Sequence, residues 1–295
     1  MLVSFKEMLQ RASAENYAVA APNINSELDA RAFVEAAVEL NAPLILDLGW
    51  GVHPDPKYFI RILEDMVNKV PIPVTINLDH GNKKEDILKA IACGFPAVMV
   101  DRSSLPFDQN VKEVKEIVEI AHSCGVSVEA ELGHVGQADN YENDRDAALT
   151  SAKEAVDYIA MTGVDALAVA IGTAHGAYPK GFVPYLDFER LQEIKKATGN
   201  FPLVLHGSSG TDPESLRKAC SLGINKVNIA NDLCKAAVAA ILNSDMEGNK
   251  AYDVWVVIQK AIKERLKQAI ELYGSANKAW SPDFSWNQKA GSLRE

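Results

Sequence analysis

The chain has 295 residues, 47% of them apolar, and 40 acidic against 30 basic side chains give a net charge of −10. That length fits one large domain or two small ones, with enough apolar residues for a sizeable core. The acidic balance argues against a polyanion-binding surface, so nucleic acid is not an expected partner, although a local group of cations could still hold a small anion.

The N-terminus MLVSFKEMLQ is amphipathic and charged, unlike a secretory leader, and no apolar run approaches the ~20 residues of a membrane span. Cys93, Cys124, Cys220 and Cys234 show no CxxC pair and no framework spacing. A reduced, cytoplasmic protein that does not engage membranes is expected.

In chain order, a helical pattern at 4–15 is followed by an apolar run near 17–23, and thereafter strand-like and helix-like segments alternate. Further strands are predicted near 43–48, 73–79, 97–101, 127–132, 166–171, 202–206 and 226–230. Helices are predicted at 28–40, 56–69, 83–93, 108–124, 151–162, 187–198, 213–221 and 232–243. Near-continuous runs of Val, Ile, Leu and Ala imply strands buried on both faces, which is the pattern of a parallel sheet. Eight β/α alternations without a break in composition predict an α/β fold, a (β/α)8 TIM barrel. Segment 4–15 would plug its N-terminal mouth. A doubly wound sheet is the alternative, but its glycine-rich phosphate fingerprint is absent after the first strand, which reads AAPNINS. The pattern at 251–273 predicts a C-terminal helical extension. The barrel domain is therefore placed at 1–275 and a tail at 276–295. Trp280, Phe284 and Trp286 in that tail would pack on the body or on a partner subunit.

Histidines stand at the ends of three apolar runs: PVTINLDHG (His80), ALAVAIGTAHG (His175) and PLVLHGSSG (His206). Each is followed by glycine, which lets a ligand approach the backbone. One strand-end histidine would be unremarkable as a satisfied rim residue. Three in equivalent positions, with other strand ends supplying Asn23, Asn25, Asp79, Asp101, Glu129, Glu131, Asn228 and Asn231, point to chemistry at the C-terminal mouth of a barrel. Three neutral imidazoles suit Zn2+ and would leave an open position, the catalytic arrangement. Asp79 beside such an ion fits proton transfer next to a polarised carbonyl, or else a hydrogen bond that orients a histidine. The GSSG turn before a helix could cradle an anion on backbone N–H groups.

The motifs LDHG (78–81), VMVDRS (98–103), SVEAELGHVG (127–136), AIGTAHGAY (170–178), LVLHGSSG (203–210) and KVNIAN (226–231) together resemble the class II, metal-dependent ketose-bisphosphate aldolases over roughly residues 3–275. The AIGTAHG run and the small Ser208 resemble the tagatose-type branch. The resemblance implies reversible cleavage of a ketose or ketose phosphate into dihydroxyacetone or its phosphate and an aldehyde. It implies His80, His175 and His206 as zinc ligands, Glu131 as an alternate ligand, and Asp101 as a holder of a possible second ion. Asp79 would move the proton of the C4 hydroxyl, and Asn228 would contact the enediolate. Asn23, Gly176, Gly181, Gly207, Ser209 and Asn231 fall at substrate-binding positions. A monovalent cation, Na+ or K+, and a homodimer or homotetramer are implied in the same way.

The chain departs from that family where the distal phosphate would sit. Gly49 replaces a serine, Asn231 replaces a threonine, and KAYDVWVVIQK before the C-terminal helix offers no arginine. The loop after Gly136 lacks a second glycine. Arg102 stands where a small residue is usual; it could bind a substrate anion, or pair with Asp101 or a rim acid. Trp50 and His53 could form a flat wall for an aldehyde. An acceptor other than the usual triose phosphate is therefore expected, with an ordinary fructose- or tagatose-1,6-bisphosphate aldolase as the alternative. A Schiff-base aldolase is disfavoured because the sixth strand has no lysine and Lys226 is read at the N-terminal end of the eighth. A metal-dependent hydrolase and a non-catalytic partner subunit are the readings of other classes; the latter should have lost metal ligands, and this chain keeps all three.

Overall fold

The computed structural model describes residues 1–133, 135, 149–176 and 184–281. Eight parallel strands close into a barrel in sequence order: β1 (Val19–Pro22), β2 (Leu44–Gly49), β3 (Val74–Gly81), β4 (Ala97–Val100), β5 (Ser127–Leu132), β6 (Ala166–Val169), β7 (Leu203–Leu205) and β8 (Ile224–Ile229). The helices are α1 (Phe5–Glu15), α2 (Glu27–Glu39), α3 (Pro56–Val67), α4 (Lys84–Cys93), α5 (Phe107–Ser123), α6 (Ala152–Thr162), α7 (Phe188–Thr198), α8 (Pro213–Ser221), α9 (Asn231–Leu242) and α10 (Val254–Leu272). A 3-10 turn, Gly248–Asp253, leads into α10. The barrel, the extra N-terminal helix and the C-terminal helix all stand as the sequence pattern predicts.

Local signals explain several helix starts. Ser26 with Asp29 and Ser151 with Glu154 form reciprocal capping boxes on α2 and α6. Asp55 and Asp212 cap α3 and α8, each followed by a proline already shaped for the first turn.

Two apolar clusters hold the fold. The larger lies between the outer faces of the strands and the helix ring. The smaller fills the lower barrel: Val19, Ala21, Ile45, Ala97, Ala166, Ala168 and Val204 meet Phe5, Met8, Leu9 and Ala12 of α1. The strands supply small side chains here, so α1 completes the core as a plug. Trp280 packs against this cluster with the Arg11 guanidinium 4.9 Å over its ring. It is the tail aromatic that the structure describes; Phe284 and Trp286 lie outside the described residues. All four cysteines are free. Among the described residues no helix is long and apolar enough to cross a membrane.

Two strand boundaries differ from the sequence reading in ways that matter. β3 runs on through His80 and Gly81, with a register shift against β4 between Leu78 and Gly81. β8 starts at Ile224, so Lys226 lies inside the strand and is fully buried rather than opening it.

Phe5→Ala should cost about 3–5 kcal/mol in chemical denaturation, the usual range for an emptied aromatic core site. Lys195 gives a pH test. It bonds Ser13, Phe201 and Asn225 beneath the barrel, and burial lowers it from 10.5 to about 8. Between those values the unfolded lysine keeps a proton that the folded one has shed, so its contribution to stability rises with pH across that window. Lys195→Met should remove that part of the slope.

Candidate metal and catalytic site

The C-terminal mouth gathers the polar strand ends into a pocket of about 280 Å3, lined by Asn23, Asp79, His80, His175, Gly176, Gly207, Ser208, Ser209, Asn228, Ala230 and Asn231. One ligand atom from each of His80, Glu131, His175 and His206 falls within 4.8 Å of the others. The imidazoles meet edge to face, with centroids 4.7, 4.8 and 5.7 Å apart.

Backbone shape produces this convergence. His80 sits at φ +48, a left-handed conformation uncommon outside glycine, at the register shift of β3. Gly81 has to follow it, because a Cβ there would stand 2.5 Å from the Met99 carbonyl oxygen. Gly207, at φ +66, lets the end of β7 touch the segment carrying His175, where a Cβ would meet the Ala174 carbonyl oxygen at 2.5 Å.

Hydrogen bonds aim the rings. His80 Nδ1 is 2.9 Å from Asp101 Oδ2, which leaves Nε2 facing inward. His206 Nε2 is 2.8 Å from Glu129 Oε1, which leaves Nδ1 inward and 3.1 Å from His80 Nε2. Two donors on one tetrahedral ion at about 2.0–2.1 Å would lie about 3.4 Å apart, so this pair is spaced to share one. His175 Nε2 and Glu131 Oε2 are buried without hydrogen-bond partners. Burial of such atoms is unfavourable unless something satisfies them, and a divalent cation fits a set of three imidazoles and a carboxylate.

The titrations reflect the crowding. Burial, then the neighbouring His206 and His80, lowers His175 to about 3, and burial lowers His206 as well. Burial would also lower His80, but Asp79, Asp101 and Glu131 outweigh it and hold this ring up at about 10. Burial, reinforced by Asp101, lifts Glu131 to about 8. Asp79 goes the other way: burial would raise it, but His80 foremost, with Lys226 and the Asn23 bond, holds it at about 2. It accepts from Asn23 Nδ2 at 2.7 Å and Asn228 Nδ2 at 3.1 Å, so it stands ionised and fixed.

Glycine and serine turns make the opposite wall. Gly176, Gly207, Ser208 and Ser209 line the pocket beside the start of α9, which has no side-chain cap. Asn231 Nδ2 there is buried and unpartnered, while Ser209 Oγ accepts from Asp232 N at 3.3 Å. Gly181 and Gly136 lie outside the described residues.

Three expectations change. Arg102 does not face the pocket: Nε donates to Glu113 at 2.7 Å and Nη1 to the carbonyl oxygens of Gly81, Asn82 and Asp101 at 3.1, 3.0 and 2.7 Å. It pins the turn after β3 and has taken the rim-acid alternative rather than the substrate one. Asp101 accepts from His80 and, through Oδ1, from Ser103, so its oxygens are engaged in orienting a ring and stand outside the ligand cluster. His53 stacks on Phe59 at 4.9 Å and bonds Asp55, and Trp50 packs against the larger core; neither lines the pocket. The sequence reading names Glu129 as a strand end and Lys226 as the start of the eighth strand, but does not bring them together with Asp47 beneath the site. Alternation along β5 and β8 could have placed the first two there, since Glu129 shares a face with Glu131 and Lys226 with Asn228.

Comparison with known proteins agrees with this geometry. Residues 3–278 match the family model for class II fructose-bisphosphate aldolase. The chain belongs to that family. It is a class II aldolase, a carbon–carbon lyase. It is 39% identical to a fructose-bisphosphate aldolase of Thermus caldophilus, covering 95% of this chain and all of the relative. A fructose-bisphosphate aldolase of Staphylococcus aureus is 41% identical, covering 94% and 99%. Among solved structures, the YdjI aldolase of Escherichia coli K12 superposes with a TM-score of 0.84 at 33% identity, over 95% of this chain and all of that one. Family membership implies a divalent metal, and the histidine–glutamate cluster is the place in this aldolase that could hold it.

Gly207→Ala should destabilise the aldolase by at least about 1–3 kcal/mol from its backbone conformation alone, with the contact at Ala174 adding to that. Urea denaturation of the ion-free protein measures it.

Proposed function

We propose that this aldolase reversibly cleaves a ketose 1-phosphate into dihydroxyacetone phosphate and an aldehyde whose far end carries no phosphate. His80, His175 and His206 would hold one divalent ion, Zn2+ by the nature of the donors, with Glu131 beside them as an alternate ligand. Such an ion polarises the ketose carbonyl when bound. Asp79, kept ionised and clamped by two asparagines, takes the C4 hydroxyl proton. The C4–O group becomes the aldehyde carbonyl as the C3–C4 pair passes to C3, and the resulting enediolate takes up a proton from solvent at C3 to give dihydroxyacetone phosphate. Asp79 returns the proton to the aldehyde oxygen in the reverse direction. Asn228 fixes one oxygen of Asp79 and stands beside His206, within reach of the developing negative charge. The wall of Gly176, Gly207, Ser209 and Asn231, with the uncapped start of α9, offers N–H donors to the C1 phosphate. Gly181 belongs to this wall by resemblance alone, as does a Na+ or K+ ion beside it. The tagatose-type affinity rests on the AIGTAHG run and Ser208. A homodimer or homotetramer would have the exposed Val238, Leu242, Tyr252, Trp255 and Val256 to bury.

The acceptor reading rests on one observation. Among the described residues no lysine or arginine lines the catalytic pocket or the groove of about 260 Å3 that adjoins it through Asn23 and Ala230. That groove is walled by Leu28, Phe33, Leu233, Trp255, Ile258 and Ile262, with Asn23, Asn25, Ser26 and Gln259 as neutral polar groups. Asp29, its charged member, is spent on the backbone N–H groups of Asn25 and Ser26. Asn23 also holds Asp79, so the groove opens on the aldehyde side. It is suited to a neutral acceptor and offers a terminal phosphate no cation to offset its loss of hydration. The Arg102 placement removes the argument for an anionic far end held by that residue.

The test is carbon–carbon bond formation by zinc-loaded protein from dihydroxyacetone phosphate and a panel of aldehydes. Neutral hydroxyaldehydes should exceed glyceraldehyde 3-phosphate in kcat/KM; the reverse order would restore fructose or tagatose 1,6-bisphosphate as the substrate. Asp79→Ala should retain bound zinc and lose about 10²–10⁴-fold in turnover.

A further inference from the structure

Interiors of α/β barrels are ordinarily filled by layers of branched apolar side chains. The lower interior of this barrel obeys, with the plug helix completing it. Between that plug and the histidines lies a layer of charge. Lys226, from the middle of β8, has no exposed surface, and its Nζ lies 2.9 Å from Glu129 Oε2 and 3.0 Å from Asp47 Oδ2. Asn77 donates to the other oxygen of Asp47 at 3.0 Å. The other oxygen of Glu129 meets His206 Nε2 at 2.8 Å, and neither of those side chains is exposed. Phe5 of the plug closes the layer from below, its ring centroid 6.0 Å from the lysine nitrogen.

Stability does not explain this layer. A buried ion cluster commonly contributes no more than apolar residues of the same volume, because desolvation offsets the attraction. Direct catalysis does not explain it either. Lys226 does not line the catalytic pocket and spends its ammonium on two carboxylates, so it cannot act as a nucleophilic amine. The layer does have one exit toward the pocket, the Glu129–His206 bond.

We propose that Lys226 and Glu129, with Asp47 bracing the lysine, are positioning residues for the metal centre: they fix the Nε2–H tautomer of His206 and so present its Nδ1 as the ligand atom. The proposal rests on His206 being a ligand. Without the lysine, Glu129 would face Asp47 across a low-dielectric interior with nothing to hold its second oxygen. It would turn or take up a proton, and His206 would lose the acceptor that selects its tautomer. Carboxylate partners of this kind also raise the basicity of a ligating imidazole, and losing one typically weakens metal binding 10–100-fold.

The experiment compares wild type, Glu129→Gln, Lys226→Met and His206→Ala. Zinc affinity is measured by competition with a chelating indicator, and histidine tautomers in the zinc-loaded protein by NMR with 15N-labelled histidine. Glu129→Gln and Lys226→Met should each lower affinity 10–100-fold and shift or broaden the His206 Nε2–H signal, although neither residue is a ligand. A folded Lys226→Met protein with wild-type affinity and an unchanged His206 tautomer would overturn the proposal. Should Lys226→Met fail to fold, Glu129→Gln, which keeps shape and polarity, decides by the same two readouts. Unchanged affinity in His206→Ala would instead remove the ligand reading itself, a result separable from failure of the positioning role.

Discussion

Charge imbalance inside the barrel is the constraint from which the rest of this structure follows. Asp47, Asp79, Asp101, Glu129 and Glu131 face the interior or its mouth, with Lys226, alone among the described lysines in being fully buried, set between two of them. Carboxylates this close cannot all stay ionised in a low-dielectric interior unless positive charge is drawn in. Protons answer part of the demand: His80 is held up to about 10, and burial with the nearby Asp101 lifts Glu131 to about 8. A divalent ion among the imidazoles answers it better, because it also satisfies the unpartnered atoms of His175 and Glu131. Asp79 benefits from the same arrangement. It stays ionised, as the proposed base role requires, beside the ring with the strongest pull toward positive charge.

Backbone geometry turns that demand into a site. Parallel strands deliver side chains to one mouth, but a regular β3 would carry Asp79 and His80 to opposite faces. The register shift after Leu78 and the left-handed His80 bring both to the pocket. Arg102 then locks the turn by bonding three carbonyl oxygens around it. The departure that sequence comparison flags as a possible substrate contact is thus part of the scaffold for the metal-facing histidine.

Much of this was legible in the sequence because it depends on local patterns. Apolar runs alternating with helical periods define the barrel, and histidine–glycine endings mark the mouth. Paired oxygens and their distances are not local. Nothing in VMVDRS says whether the arginine turns inward or back toward Glu113 on α5, since that depends on how a loop packs. Lys226 was misplaced for a different reason: Gly223 and Asn225 are turn-forming residues that mask the strand start at Ile224, and extending the strand by two residues moves the lysine from its end to its interior. His53 and Trp50 read as wall residues because they follow β2, yet α3 and the core claim them. Substrate choice is the least legible part, because it depends on which cations fail to reach the pocket as much as on which groups do.

The account stands or falls on His80, His175 and His206 sharing one ion, with His206 binding through Nδ1 because Glu129 occupies Nε2. Anomalous diffraction at the zinc edge on crystals of the loaded protein tests this directly. The expected result is a single strong peak between the three rings, with three nitrogens at about 2.0–2.1 Å and His206 attached through Nδ1. A peak elsewhere, or an ion bound by His206 Nε2 with Glu129 turned away, would contradict it.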